Sequence, residues 1–377
     1  LCEAPVLSVQ LEGNTAVGVN FSHNSQTYNV SVKREVVVSC GALQTPQILE
    51  LSGIGDPEVL KAAGVECKIE NTAVGNNLQD HSLTMFTWEL TPNNPTLEVI
   101  YIPEVMEDAM KQLAEKQGGP LTAVSSTQGF LPYKLFATED EQASIIKSVE
   151  DSLPAVSPFQ RKQYERTIEH LKDDKSANLQ IVVVCHGGNP EEGCQDQSKL
   201  FPPIKPGEPM SITAAVCLQY PLSRGSVHIK TSNVSDHPEI DPGFLCHPAD
   251  AAVLAAGVKM LSKITDSKAM EGKIAKRTFP KDPELDLTDT QKAEAAVRDF
   301  VMSEYHPVGS CAVGDALDSK LRVKGVKNLR VVDASVFPNH VSGNCVSSVY
   351  AVAEKAADLI KADWEYAALS SKGANVV

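Results

Sequence analysis

The segment Tyr305-His306-Pro307-Val308-Gly309-Ser310, followed by Gly343-Asn344-Cys345, holds the side chains best suited to chemistry. An imidazole has an unperturbed pKa of about 6.5 and can act as base or acid near neutral pH. A carboxamide beside it can donate a hydrogen bond to a substrate oxygen. The sequence places His306 at the end of an acidic helical segment, 289–305. It places Asn344 at the opening of a second helix, 346–363, shortly after a strand at 329–333. That arrangement can bring imidazole and carboxamide together at a helix N-terminus facing a cofactor, as the proton-transfer half of an active site. Taken alone, a histidine before proline is more often structural. An asparagine before a helix can also serve as an N-cap, a role worth about 1 kcal/mol.

The elements that must position these residues follow from period and turn chemistry. Residues 6–11 and 16–21 alternate around Glu12-Gly13-Asn14 and read as a hairpin. Residues 35–40 form a short continuous apolar run, the mark of a strand buried on both faces. A small-residue turn at Ser39-Cys40-Gly41-Ala42 leads into a helix over 45–53. Such a turn lets a nucleotide ribose or phosphate approach the backbone and a helix N-terminus, making Cys40 and Gly41 candidate cofactor contacts. A further short helix is expected at 56–63 and a polar loop at 74–81. Residues 82–133 read as strand and loop, 138–177 as surface helices, and 180–185, 211–220 and 225–230 as the sheet of a second domain. Helices at 249–264 and 289–305 follow, and the tail 370–377 is expected to fray.

Bulk properties narrow the class. A chain of 377 residues is long enough for two or three domains. With 34 basic and 48 acidic residues the net charge is −14, which disfavours nucleic acid or an anionic membrane as partner. No apolar run approaches the ~20 residues a membrane span needs. The nine cysteines show no repeating spacing and favour free thiols over a disulfide framework, and the compartment stays unresolved. Cys185-His186 with Cys194, and Cys246-His247, lack the close pairs of a structural zinc site, so no metal is expected. His81 reads as a hydrogen-bonded structural histidine.

Several longer segments carry a family resemblance. The run from Gly41 to Gly55, GALQTPQILELSGIG, resembles the second signature of the glucose–methanol–choline (GMC) flavin oxidoreductases. Asn77-Leu78-Gln79-Asp80-His81 resembles that family's next loop motif, and Pro221-Leu222-Ser223-Arg224-Gly225-Ser226-Val227 the start of its substrate domain. The His306 segment, Asp333-Ala334-Ser335-Val336-Phe337-Pro338 and Gly343-Asn344 complete the set in the family's order.

The resemblance implies an α/β fold: part of a GMC-type FAD-binding domain, with a substrate domain built on an antiparallel or mixed sheet covered by helices. Residues 1–80 and 311–377 would belong to the FAD domain and 81–310 to the substrate domain. It implies that His306 abstracts the hydroxyl proton of an alcohol while hydride passes to flavin N5, and that Asn344 stands where members carry His or Asn. Val6 is implied as an adenine contact. Asp333 and Ala334 would meet the ribityl–phosphate region, and the backbones of Cys345 and Val346 the flavin pyrimidine edge. Many members have Pro where Cys345 stands. Some members are instead lyases or cyclases that use flavin without net redox. The family's initial strand, G-x-G-x-x-G turn and helix have no counterpart in this sequence, which begins at Leu1. A companion N-terminal chain or segment carrying the FAD diphosphate site is therefore expected.

Overall fold

The computed structural model describes residues 1–364 apart from Pro206 and Pro283; the expected fraying at 370–377 lies outside the described residues. Its two largest apolar cores organise it. One is built from Val9, Val36, Val38, Ile48, Leu49 and Val74 together with Cys311, Leu317, Leu329, Val331 and Ala356, so the two ends of the chain pack together. The other gathers Phe86, Leu179, Val216, Leu254, Val258, Ala293 and Val297 from the middle of the chain.

The first core carries a meander of Val6–Glu12, Thr15–His23 and Gln26–Ser31, the last strand exposed along its length. Beside it Val36–Val38 pairs in parallel with Leu329–Val331. Residues 35–40 were expected to be buried on both faces, but Val37 is 42% exposed. Only one face of this two-stranded ribbon meets the core.

The helix after the ribbon starts earlier than its sequence pattern suggests, at Gly41, and runs to Leu51 with Pro46 inside it. Proline has no N–H to give the carbonyl four residues back. Ser310 supplies the missing donor, its hydroxyl reaching the Ala42 carbonyl at 2.5 Å. A residue of the histidine segment thus closes a gap left by Pro46.

The second core lies under an antiparallel sheet in the order Ile274–Phe279, Ser82–Leu90, Ser211–Leu218, Leu179–Val184, Ser126–Leu131. The helices Pro248–Thr265 and Thr290–Phe300 contribute their apolar faces to it. Three readings need correction. Residues 82–133 include the helix Pro103–Ala114, whose apolar positions are spread among charges. The strand Gly225–His228 belongs to a separate small sheet with Glu239–Asp241 and Asn76–Leu78. The helix expected over 289–305 stops at Phe300, because Val301 turns extended and Met302–Ser303 joins the start of Ser82–Leu90. His306 therefore lies in a loop after a strand.

No described helix is long and apolar enough to cross a membrane. All nine cysteines are free.

Candidate active site

Pairing of Met302 with Leu83 and Ser303 with Ser82 sets the register of the site. It continues through Glu304 N–H to His81 O at 2.8 Å and reciprocal Gln79–Val308 bonds of 2.8 and 2.9 Å. The two loops run antiparallel, and Glu304 and His306 arrive beside His81. Between them Tyr305 adopts φ +66°, the left-handed region that costs a non-glycine residue energy. The Asp80 carboxylate holds this kink. It accepts from His306 N–H at 2.9 Å and from the Ser303 hydroxyl, which in turn accepts from Tyr305 N–H at 2.8 Å.

The same loop braces the final segment. Gln79 donates to Pro338 O at 3.1 Å and accepts from His340 N–H at 3.1 Å. Asn77 donates to Gly309 O at 3.0 Å and accepts from half-buried Arg224 at 3.0 Å. Gly309 has φ +89°, and a Cβ there would lie 2.7 Å from Asn77 O, so the position needs glycine. These motif residues build a scaffold for the histidine and the asparagine.

On that scaffold the two candidate catalytic residues meet: Asn344 Nδ2 lies 3.0 Å from His306 Nε2. The helix behind them, Val346–Asp363, is capped at Cys345 and receives no side-chain cap, so its first N–H groups stay open. Asn344 is thus not the N-cap; its carboxamide is turned to the imidazole instead.

Three further groups surround His306. Its Nδ1 is 3.0 Å from His81 Nδ1, the rings nearly perpendicular at 87°. His81 Nε2 lies 2.9 Å from the Val341 carbonyl, which can only accept. His81 must therefore carry its proton on Nε2 and accept at Nδ1, and His306 must donate from its own Nδ1. This leaves His306 Nε2 with a free lone pair, in agreement with the amide nitrogen of Asn344 facing it. His340 stacks on His81 at 3.5 Å and donates from Nε2 to His306 O at 2.8 Å. The third group is Glu304, whose Oε2 is 3.5 Å from His81 Nδ1 and 3.8 Å from His306 Nδ1.

Burial governs the charges. It depresses the pKa of His81 well below the ordinary value, helped by the other two histidines, and lowers that of His306. His340 is pushed down to about 4 by the same cause. Burial lifts Asp80 to about 6 and, with the Asp80 charge adding to it, Glu304 to about 7. The imidazoles are neutral at neutral pH, as a base must be before it acts.

Residues proposed to meet a cofactor occupy the other side. Asp333 lies just past the strand Leu329–Val331 and ties it to the first helix: Oδ2 accepts from Gly41 N–H at 3.0 Å and Thr45 Oγ1 at 2.5 Å. Its Oδ1 accepts from Ser335 N–H at 2.8 Å and Ser335 Oγ at 2.6 Å. In the sequence Thr45 reads only as part of the Thr45-Pro46 helix motif, with nothing to mark it as a partner of Asp333. Cys40 is exposed, Gly41 has φ +81°, and a Cβ there would meet no atom within 4 Å. Val346 is 63% exposed, Ala334 opens a short turn after Asp333, and Val6 begins the meander. Cys40 and Gly41 are small and accessible, with their N–H groups held by Thr45 Oγ1 and Asp333 Oδ2, while the helix N-terminus at Val346 keeps its N–H groups open; together they could border one flank of a nucleotide cofactor.

Among the described residues, Cys185, Cys194 and Cys246 take part in no metal-type grouping. Among the described residues, the three-ligand cluster within 4.8 Å is His81, Glu304 and His306, and there the two imidazoles hydrogen-bond each other.

Two family models, both described as GMC oxidoreductase, match residues 2–83 and 221–353, together more than half of the chain. The chain belongs to the GMC oxidoreductase family. The cofactor of this family is FAD. A dehydrogenase of Monascus purpureus, mpl7, is 39% identical over 359 residues, covering 92% of this chain and 57% of that protein. An alcohol dehydrogenase [acceptor] of Pseudomonas putida is 29% identical, covering 98% of this chain and 59% of its own length. Among solved structures, a fungal aryl-alcohol oxidase superposes with a TM-score of 0.79 at 25% identity, over 96% of this chain and 61% of its own. An FAD-dependent oxidoreductase of Chaetomium thermophilum gives 0.82 at 24% identity, over 97% and 62%, and shows the same fold. The chain spans a little over half the length of these GMC relatives.

Proposed function

We propose that this chain supplies the proton-transfer half of an FAD-dependent enzyme that oxidises an alcohol at a CH–OH carbon. The observation that carries the reading is the pair at 3.0 Å, His306 Nε2 and Asn344 Nδ2, with the imidazole tautomer fixed so that Nε2 is a base. A substrate hydroxyl placed between them would give its proton to Nε2 while the Asn344 amide steadies the oxygen. Bound FAD supplies the hydride acceptor. Cys40, Gly41, Asp333, Ala334, Cys345 and Val346 would hold its flavin and ribityl portions, and Val6 would sit toward the adenine. The N–H groups opening the helix Val346–Asp363 place positive potential at that flank, which favours added negative charge there. Holding base and substrate in line removes much of the entropic barrier.

In this reading residues 1–80 and 311–377 serve the cofactor and 81–310 the substrate. The division of the two apolar cores supports it. A companion N-terminal chain or segment would provide the diphosphate cradle, since no G-x-G-x-x-G stretch occurs in the sequence. The test is anaerobic addition of primary and aromatic alcohols to the FAD-loaded protein. Loss of the oxidised flavin absorbance supports alcohol oxidation; persistent absorbance with product formation favours a lyase or cyclase.

A further inference from the structure

Behind His306 the site is over-equipped for a simple base, and Glu304 is the surplus. The Cys217 thiol and Gln219 amide face its carboxyl, yet the buried Oε2 atom takes no hydrogen bond of ordinary geometry, although it lies 3.5 Å from His81 Nδ1 and 3.8 Å from His306 Nδ1. A buried carboxylate oxygen without a donor is costly and points to a use. We propose that Glu304 is the second proton acceptor of the site, taking the Nδ1 proton of His306 when Nε2 takes the proton of a substrate hydroxyl. The inference rests on the reading of His306 as the base.

The step balances. The substrate O–H bond breaks, its electron pair stays on oxygen, and a bond forms from the proton to His306 Nε2. The His306 Nδ1–H bond then breaks and an Oε2–H bond forms on Glu304, so His306 is again neutral and the carboxylate has lost its charge. Closing 3.8 Å to hydrogen-bond range needs about 1 Å of travel by the carboxyl. The new O–H then has an acceptor in the nitrogen it left or in His81 Nδ1.

The neighbours cannot do this work. His81 has its own proton committed to Val341 O, and a second one would place an imidazolium in a wholly buried ring. His340 donates to His306 O and accepts from Val341 N–H at 3.1 Å, so both its nitrogens are used. Asp80 has one oxygen on His306 N–H and the other on Ser303. The Cys217 thiol and the Gln219 amide face the Glu304 carboxyl, and burial holds that thiol neutral. Asp80, His81, Cys217, His306, His340 and, further off, the Cys345 thiol are the titratable groups around Glu304.

The test follows His306 directly in FAD-loaded protein labelled with 15N-histidine, comparing wild type with Glu304→Gln and Glu304→Asp. We expect a pyridine-like Nε2 and a pyrrole-like Nδ1 on His306 in wild type, with both shifts inflecting as the neighbouring carboxyl ionises. Glu304→Gln should keep the tautomer, lose the inflection, and remove one limb from the pH profile of kcat/KM with a fall of tenfold or more. Glu304→Asp should retain the inflection. An unchanged inflection and profile in Glu304→Gln would overturn the proposal. Should that variant fail to fold, absence of the inflection from wild type overturns it equally. His306→Gln separates the two claims. If it is nearly as active as wild type, the base assignment itself fails; if it is slow while Glu304→Gln matches wild type, only the role of Glu304 fails.

Discussion

His81 and His306 meet through their Nδ1 atoms at 3.0 Å, and that contact decides which nitrogen of His306 keeps its lone pair. Because the Val341 carbonyl claims the proton of His81 Nε2, the order of donors runs one way, from His306 to His81 to the backbone. A histidine that looks structural in the sequence thereby selects the basic tautomer of its neighbour. Replacing His81 with Asn or Ala should release that tautomer and lower kcat by about 10–10³-fold, the range in which a misoriented or mis-tautomerised base falls. Stopped-flow reduction of the flavin measures it, with FAD content checked by absorbance.

Asn344 offers a simpler prediction. Its amide nitrogen is 3.0 Å from His306 Nε2 and, with the side chain exposed, can turn to a substrate oxygen. Asn344→Ala should lower kcat about tenfold or more, in line with the loss of one donor to a developing oxyanion. Asn344→His should recover part of it. Both are read from steady-state kinetics with one alcohol.

Asp333 joins the ends of the chain, accepting from Gly41, Thr45 and Ser335. Asp333→Ala strands donors at a buried junction and should cost about 1–3 kcal/mol of stability. The same change should weaken FAD retention, because it frees the N-terminus of the first helix. Urea denaturation and flavin content report the two effects.

The pH dependence of stability has a definite sign. Burial raises the Glu304 carboxyl from an ordinary 4.5 to about 7, so the folded protein keeps a proton that the unfolded chain releases. That contribution is whole below about 4.5 and is lost as pH rises through about 7. Glutamine mimics the protonated carboxyl and cannot ionise. The Tm of Glu304→Gln relative to wild type should therefore climb between pH 5 and about 8, as thermal unfolding at a series of pH values would record.

Much of the site was legible because each part lies in a continuous run. The His306 and Asn344 segments, the turn at Gly41 and the strand leading to Asp333 are local patterns, and the helix Val346–Asp363 begins and ends where its periodicity does. The partners of His306 were not legible. Glu304 and His81 come together through the register of Met302–Ser303 on Leu83 and Ser82, a pairing across more than two hundred residues with no local signature. The expected helix at 289–305 hid the same fact. Its charges and helix formers continue past Phe300, yet pairing of Met302 with the neighbouring strand overrides propensity there. His340 escaped notice since its role is to stack on His81 and donate to a backbone carbonyl, which no spacing announces.

The central claim is that His306 Nε2 is the base. The most direct test is the rate of flavin reduction by an alcohol under anaerobic conditions in FAD-loaded His306→Ala beside wild type. A general base is worth about 10²–10⁴-fold, so the variant should reduce its flavin more slowly by that factor while binding FAD normally. A near-normal rate of flavin reduction in His306→Ala would contradict the account.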